Sequence, residues 1–301
     1  MSRLAIAALQ LELDQGNNLD TICEEIARTV RRYPWVELIM IGELATYGSS
    51  TDHAQAMPAL AEQVYRDAAR EHGIWLIPGS LYEIDDGSIF NTTPVIAPNG
   101  DVVRRYRKMY PFCPYEKGVT PGKDFAVIDI PDVGRVGVMI CYDMWFPEVA
   151  RTLVWMGAQV ILCPSMTNTI DRDLELAMAR TLGAINQCYF VNVNVAGGIG
   201  NGLSIVVAPD GRVLHQSGER TEAIALDLDL DLVQRVRERG VDGLGQPLKS
   251  FRDGPLGFPC YEGASEHLRA LGELKMPARP GSEKAAGHWN HSPPKTGSNE
   301  G

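Results

Sequence analysis

Short, continuously apolar runs recur along this chain, and amphipathic stretches separate them. Leu4–Leu11, Val36–Ile41, Ile74–Pro78, Val136–Ile140, Gln159–Cys163 and Tyr189–Val195 are each too short for a buried helix and read as strands. Between them lie helical stripes. Asn18 is placed to cap a helix running to about Arg32, with Leu19, Ile22, Ile26 and Val30 on one side. A second helix is expected over about Ala56–Glu71, with Leu60, Val64 and Ala68 inward and Gly73 as its stop. Others are expected from Pro147 to about Met156, over Asp171–Asn186 and over Asp231–Arg239.

Two hairpins interrupt this series. Ile89–Ala97 and Val102–Tyr106 flank Asn99-Gly100, and Ser204–Ala208 and Arg212–His215 flank Asp210-Gly211. Ala223–Leu228 adds a further strand. A purely parallel winding has no place for hairpins, so a mixed sheet, or two sheets packed face to face with helices outside, fits better. Residues 108–125 hold Pro111, Pro114, Gly118, Pro121 and Gly122 and read as a long ordered loop. With no repeat and no linker, 1–276 is expected to be a single domain. Beyond Met276 the apolar period is lost, and 277–301 is expected to be a mobile tail.

Charge narrows the function classes. The net charge is −10, and the only dense basic run is Arg104–Lys108. A nucleic-acid binder usually shows a basic stripe, so neither nucleic acid nor an anionic membrane is expected as a partner. No apolar run approaches a membrane span, and the N-terminus has no basic region or cleavage site, so a cytoplasmic location is expected. Six cysteines without a Cys-x-x-Cys pair predict neither a disulfide scaffold nor a structural zinc site. Gly197–Gly202 lacks dinucleotide-binding spacing and is expected to be a flexible loop.

The strand ends carry the reactive side chains. Val136–Ile140 runs into Cys141 just before a helix, where an α/β fold offers a rigid edge and exposes backbone N–H groups to an oxyanion. Val36–Ile41 delivers Glu43, and Val102–Tyr106 delivers Lys108. A carboxylate can take a thiol proton, and an ammonium can stabilise the negative charge that follows. Taken singly, each has an ordinary reading: a buried inert cysteine, or a solvated charge.

Together these stretches resemble the nitrilase superfamily of carbon–nitrogen hydrolases. Ile41–Gly48 is similar to its glutamate motif, Tyr106–Pro111 to its lysine motif, and Gly137–Glu148 to its cysteine motif, in the family's order. The resemblance spans about residues 3–260. It implies a four-layer α-β-β-α sandwich, a Glu43–Lys108–Cys141 catalytic triad, no metal or organic cofactor, and a homo-oligomer of two or more copies. Glu116 is similar to a second glutamate of the amidase branches. Tyr47, Tyr115, Tyr142, Trp145 and Thr167 follow the catalytic strand ends and are expected to bind substrate. The family usually has proline where this chain has Gly42, which is expected to loosen the backbone before Glu43. Cys141-Tyr142-Asp143 looks like the amide-cleaving branches, and Trp145-Phe146-Pro147-Glu148 like carbamoyl-amide hydrolases. The expected activity is hydrolysis of a small linear amide to a carboxylic acid and ammonia through an acyl-thioester. The alternatives are an N-carbamoyl amide hydrolase, a nitrilase, or a catalytically silent scaffold.

Overall fold

A computed structural model describes residues 2–113, 115–254, 257–261 and 266–271. The tail expected over 277–301 lies outside the described residues. In chain order the first half forms β1 (Arg3–Gln10), β2 (Glu12–Leu13), α1 (Leu19–Arg32), β3 (Leu38–Ile41), α2 (Leu60–His72), β4 (Trp75–Ile77), β5 (Leu81–Asp85), β6 (Ser88–Ile96) and β7 (Val102–Arg107). There follow β8 (Ala126–Ile130), β9 (Gly134–Val138), α3 (Pro147–Trp155), β10 (Val160–Ser165), α4 (Arg172–Asn186), β11 (Tyr189–Asn194) and β12 (Ala196–Gly197). The series ends with β13 (Ile205–Val207), β14 (Val213–Gln216), β15 (Glu222–Asp229), α5 (Leu230–Arg239), α6 (Pro247–Asp253) and α7 (Glu266–Arg269). All but α7 belong to a unit made of Met1–Phe112 and Glu116–Gly257. Cys113–Tyr115 and Phe258–Gly301 form a second unit, in which the Phe258 and Tyr261 rings pack at 5.7 Å. Among the described residues no helix is long and apolar enough to cross a membrane.

The large unit holds two mixed sheets. One runs β15-β1-β3-β4-β6-β5, with β7 also on β6; the other runs β14-β13-β11-β10-β9-β8. In each, three central strands are parallel (β1, β3 and β4; β9, β10 and β11), and antiparallel strands flank them.

The apolar runs are buried on both faces because each face meets a different layer. Leu4, Ile6, Leu38, Met40, Val160, Leu162, Val191 and Val193 share one core between the sheets. Their neighbours Ala7, Leu9, Ile39 and Ile41 point the other way and pack with Ile22 and Ile26 of α1 and Tyr65 of α2. Ile161, Cys163 and Phe190 point away on the other sheet and pack with Leu153 of α3 and Leu182 of α4. This is the expected α-β-β-α sandwich.

Local readings differ in four places. The inward face of α2 is Ala61, Tyr65 and Ala69, with Glu62 also buried, while Leu60 is 72% exposed. Polar partners set that phase: Tyr65 Oη bonds Thr46 Oγ1 at 2.8 Å, and Glu62 takes both Arg105 Nε and Nη2. Asn18 stands at the N-cap of α1, but its side chain donates to the carbonyls of Asp14, Gly16 and Ala45 instead of accepting from the helix. A third hairpin joins β5 and β6 through Asp86 and Gly87, both left-handed with φ of 46° and 73°, as a two-residue turn requires. The Gly197–Gly202 loop is tied down. Gly198 N bonds Leu13 O, Gly202 N bonds Val195 O, and a Cβ at Gly200 would lie 2.2 Å from Val195 O.

Candidate active site

Three strand ends converge at one edge of the sandwich. β3 runs through Gly42 to Glu43, whose N–H donates to Ser165 O of the opposite sheet at 3.1 Å. A Cβ on Gly42 would lie 2.6 Å from Val195 Cγ1 and 2.9 Å from Ser165 O. Glycine there permits close contact between the sheets, so the expected loosening is not found. β7 ends just before Lys108, whose N–H donates to Asn91 O and whose carbonyl accepts from Gly122 N, both at 2.8 Å. The rest of the basic run is spent locally. Arg104 reaches Phe125 O, Arg105 pairs with Glu62, and Arg107 pairs with Glu83 and Asp85.

Cys141 opens a tight turn, Cys141–Trp145, that leads into α3. Its φ is +46°, a left-handed conformation that is uncommon for a side chain of this kind and marks local strain. Asp143 fixes the elbow. One of its oxygens, Oδ2, accepts from Ile140 N (2.9 Å) and Tyr106 Oη (2.6 Å), and Oδ1 accepts from Tyr110 N (2.8 Å). Asp143 thus joins the cysteine turn to the loop after Lys108. Burial pushes its carboxyl up to about 6.

Lys108 Nζ sits between two carboxylates, 2.7 Å from Glu43 Oε1 and 2.6 Å from Glu116 Oε2. Asn91 Nδ2 bridges the same pair, at 2.8 Å from Glu43 Oε1 and 2.9 Å from Glu116 Oε1. Met166 N donates to Glu43 Oε2, and Phe112 N donates to Glu116 Oε2. Burial raises the Glu43 carboxyl above its ordinary value, and the Lys108 charge only partly opposes it. Burial also pushes Glu116 up, but Lys108, Phe112 N and Asn91 outweigh it and hold Glu116 down. Lys108 stays an ammonium, because the two carboxylates outweigh its own desolvation. Burial, then the Glu43 charge, raises the Cys141 thiol well above its ordinary value, and the Lys108 charge pulls the other way.

The structure therefore brings together Glu43, Lys108, Glu116, Cys141 and Thr167. Thr167 is 6% exposed, with its hydroxyl 3.9 Å from Cys141 Sγ, so it lies beside the thiol. Tyr142 joins a ring cluster with Phe112 (4.8 Å), Trp145 (5.8 Å) and Phe146 (5.4 Å) that flanks the elbow. Tyr47 stacks on His53 at 5.5 Å and packs with the buried residues of the α1/α2 layer. Tyr115 is exposed and belongs to the second unit. Cys163 is fully buried under α3 and α4.

Sequence reasoning missed Asn91, Glu175 and Asn194. Asn194 closes the largely apolar strand β11 and Asn91 sits in β6 beside Thr92 and Thr93, both with no exposure. A polar residue in a run otherwise buried on both faces was the available signal.

A carbon–nitrogen hydrolase family model matches residues 3–238. Omega-amidase NIT2 of Mus musculus is 28% identical over 256 residues, covering 79% of this chain and 92% of that protein. The deaminated glutathione amidase of Dictyostelium discoideum is 36% identical over 197 residues, covering 58% of this chain and 67% of the relative. Among solved structures, Nit3 of Saccharomyces cerevisiae, a nitrilase-superfamily member, aligns with a TM-score of 0.73 at 28% identity, covering 79% of this chain and 94% of that one. An amidase from Nesterenkonia sp. aligns at 0.68 and 26%, covering 79% and 94%. The matched span takes in Glu43, Lys108, Glu116 and Cys141, and the chain belongs to the carbon–nitrogen hydrolases of the nitrilase superfamily, as an amidase-type hydrolase of non-peptide C–N bonds.

Proposed function

We propose that the chain hydrolyses a small linear amide to a carboxylic acid and ammonia through an acyl-thioester on Cys141. One observation carries the reading: a strained, buried cysteine faces a carboxylate whose other contacts are an ammonium and two N–H donors. Glu43 takes the thiol proton, and Cys141 attacks the carbonyl carbon. Lys108 has three N–H donors and spends two on Glu43 and Glu116, which leaves one for the oxyanion. The Tyr142 N–H, in the first turn after the nucleophile, supplies a second donor. Glu43 then protonates the leaving ammonia and activates the water that cleaves the thioester. Glu116 holds Lys108 and orients the incoming water. The raised carboxyl of Glu43 suits a group that works as base and then as acid.

For the substrate, the omega-amidase among the relatives supports a terminal (ω) amide. The reading includes self-association, supported by the exposed Trp155 and Met156 at the end of α3. The test is ammonia release from formamide, short aliphatic amides, ω-amides, N-carbamoyl amines and nitriles, with wild type and Cys141→Ala. Release from an amide, lost in the variant, is the expected result. Carbon dioxide released together with ammonia would move the assignment to a carbamoyl hydrolase. Turnover that persists in Cys141→Ala would sink the mechanism.

A further inference from the structure

Cys141 is held from a second side that the mechanism above does not use. Its Sγ lies 3.9 Å from Thr167 Oγ1, and Thr167 Oγ1 lies 3.0 Å from Glu175 Oε1. The other oxygen of Glu175 accepts from Arg172 Nη1 at 2.7 Å, and Arg172 Nη2 donates to Leu203 O at 2.8 Å. Glu175 is 2% exposed and Arg172 1%. The threonine cannot swing away. Its N–H donates to Asn194 Oδ1, its carbonyl accepts from Asn194 Nδ2, and a β-branched side chain has few rotamers.

Donor arithmetic settles the direction of the chain. A carboxylate paired with a guanidinium only accepts hydrogen bonds. The single Thr167 hydroxyl proton is therefore committed to Glu175, and a lone pair faces sulfur. In that arrangement the thiol is the donor. We infer that Thr167, Glu175 and Arg172 form a positioning arm that fixes the Cys141 sulfur and holds it as a protonated thiol until Glu43 takes the proton. The inference rests on Cys141 being the nucleophile.

The arm opposes Lys108, whose charge favours the thiolate. Thiolates are the forms that stray electrophiles and oxidants attack. A resting thiol guarded in this way reacts with substrate positioned beside Glu43 and little with other electrophiles. The charged and titratable groups around the sulfur are Glu43 and Lys108 from the first sheet, Glu116 behind Lys108, Asp143 on its own turn, and Glu175 with Arg172 on α4.

The experiment is the pH dependence of iodoacetamide alkylation, read at Cys141 by peptide mass spectrometry. In Glu175→Gln the side-chain amide can donate to Thr167, which frees the hydroxyl proton to turn toward sulfur. The alkylation midpoint should fall by about one pH unit, roughly tenfold more thiolate at neutral pH. In a Thr167→Val background the same substitution should shift the midpoint by less than half as much. An unchanged midpoint overturns the inference. So do equal shifts in both backgrounds, which would leave the Glu175 charge acting alone. Should Glu175→Gln fail to fold around an unpaired Arg172, the threonine variants decide. Thr167→Val should lower the midpoint and Thr167→Ser should restore the wild-type profile; any other pattern overturns the arm. Alkylation reports the thiol whether or not an amide is turned over, so failure in the ammonia panel is a separate result.

Discussion

At the scale of the residue, the site depends on groups that never touch substrate. Asp143 spends both oxygens on three donors, one just before the cysteine elbow (Ile140 N) and two on the strand and loop that carry Lys108 (Tyr106 Oη and Tyr110 N). In Asp143→Asn, one side of the group becomes an NH2 that faces a backbone N–H, and the bridge is lost on that side. An unmet buried donor costs about 1–3 kcal/mol, and kcat/KM should fall roughly tenfold. The variant should also change the stability–pH curve. Burial raises Asp143 from 3.8 to about 6, so its contribution is full below pH 3.8 and is lost as pH rises through about 6, about 3 kcal/mol at most. Denaturant titrations between those values should show that decline in wild type and a flatter line in the variant. Glu43 sets a second pH signature. As the base it must be ionised, so kcat/KM should rise with pH through a limb above 4.5, because burial lifts its carboxyl. The Glu116 charge adds to that lift. Glu116→Gln should therefore move the limb to lower pH while kcat falls with the looser hold on Lys108. A limb that stays in place would remove Glu43 as the titrating base.

At the scale of the element, strand runs and turn dipeptides were legible and facial phase was less so. Apolar runs located the central strands within a residue or two because burial on both faces leaves no alternative composition. The strand Leu81–Asp85 was not expected, since its alternating Glu83 and Asp85 look like a loop until Arg107 is seen to neutralise both. The phase of α2 failed for a related reason, because Glu62 and Tyr65 are buried by partners far away in sequence. Glu43, Lys108 and Cys141, which the structure brings together, were legible from motif order. The arm behind the cysteine was not, because Thr167, Glu175 and Arg172 meet only once α4 is docked. Glycine positions carry part of the placement of Glu43. Gly79 has φ +81°, and a Cβ there would lie 1.9 Å from Gly42 O. Gly79→Ala meets both a strained conformation and a backbone wall, so the strand end carrying Glu43 must move. The expected result is a loss of about 3 kcal/mol or more in stability, together with lower turnover. Normal thermal stability in this variant would show that the two strand ends have slack.

At the scale of the whole molecule, the proposed reaction centre is split between the two sheets. Glu43, Lys108 and Glu116 come from strands and loops of the first sheet; Cys141 and Thr167 come from the second. The distance from base to thiol is therefore set by the core between the sheets, and the helical layers outside do not set it directly. Close packing transmits a void to its neighbours, and a misplacement of about 1 Å can cost on the order of a hundredfold in rate. Two fully buried isoleucines separate the layers. Ile6 faces the core between the sheets and stands opposite Leu38, on the strand that leads to Glu43; Ile22 on α1 faces the outer layer. Either residue changed to alanine leaves a cavity and should lose about 2–5 kcal/mol. At a temperature where both variants remain folded, Ile6→Ala should lose about tenfold or more in kcat, and Ile22→Ala should stay near wild type. Denaturant curves and steady-state rates on the same preparations decide it. Equal kcat in the two variants, at matched loss of stability, would mean that the strand ends are held by their own hydrogen bonds, such as Glu43 N to Ser165 O. The spacing between the sheets would then carry no part of the catalytic geometry.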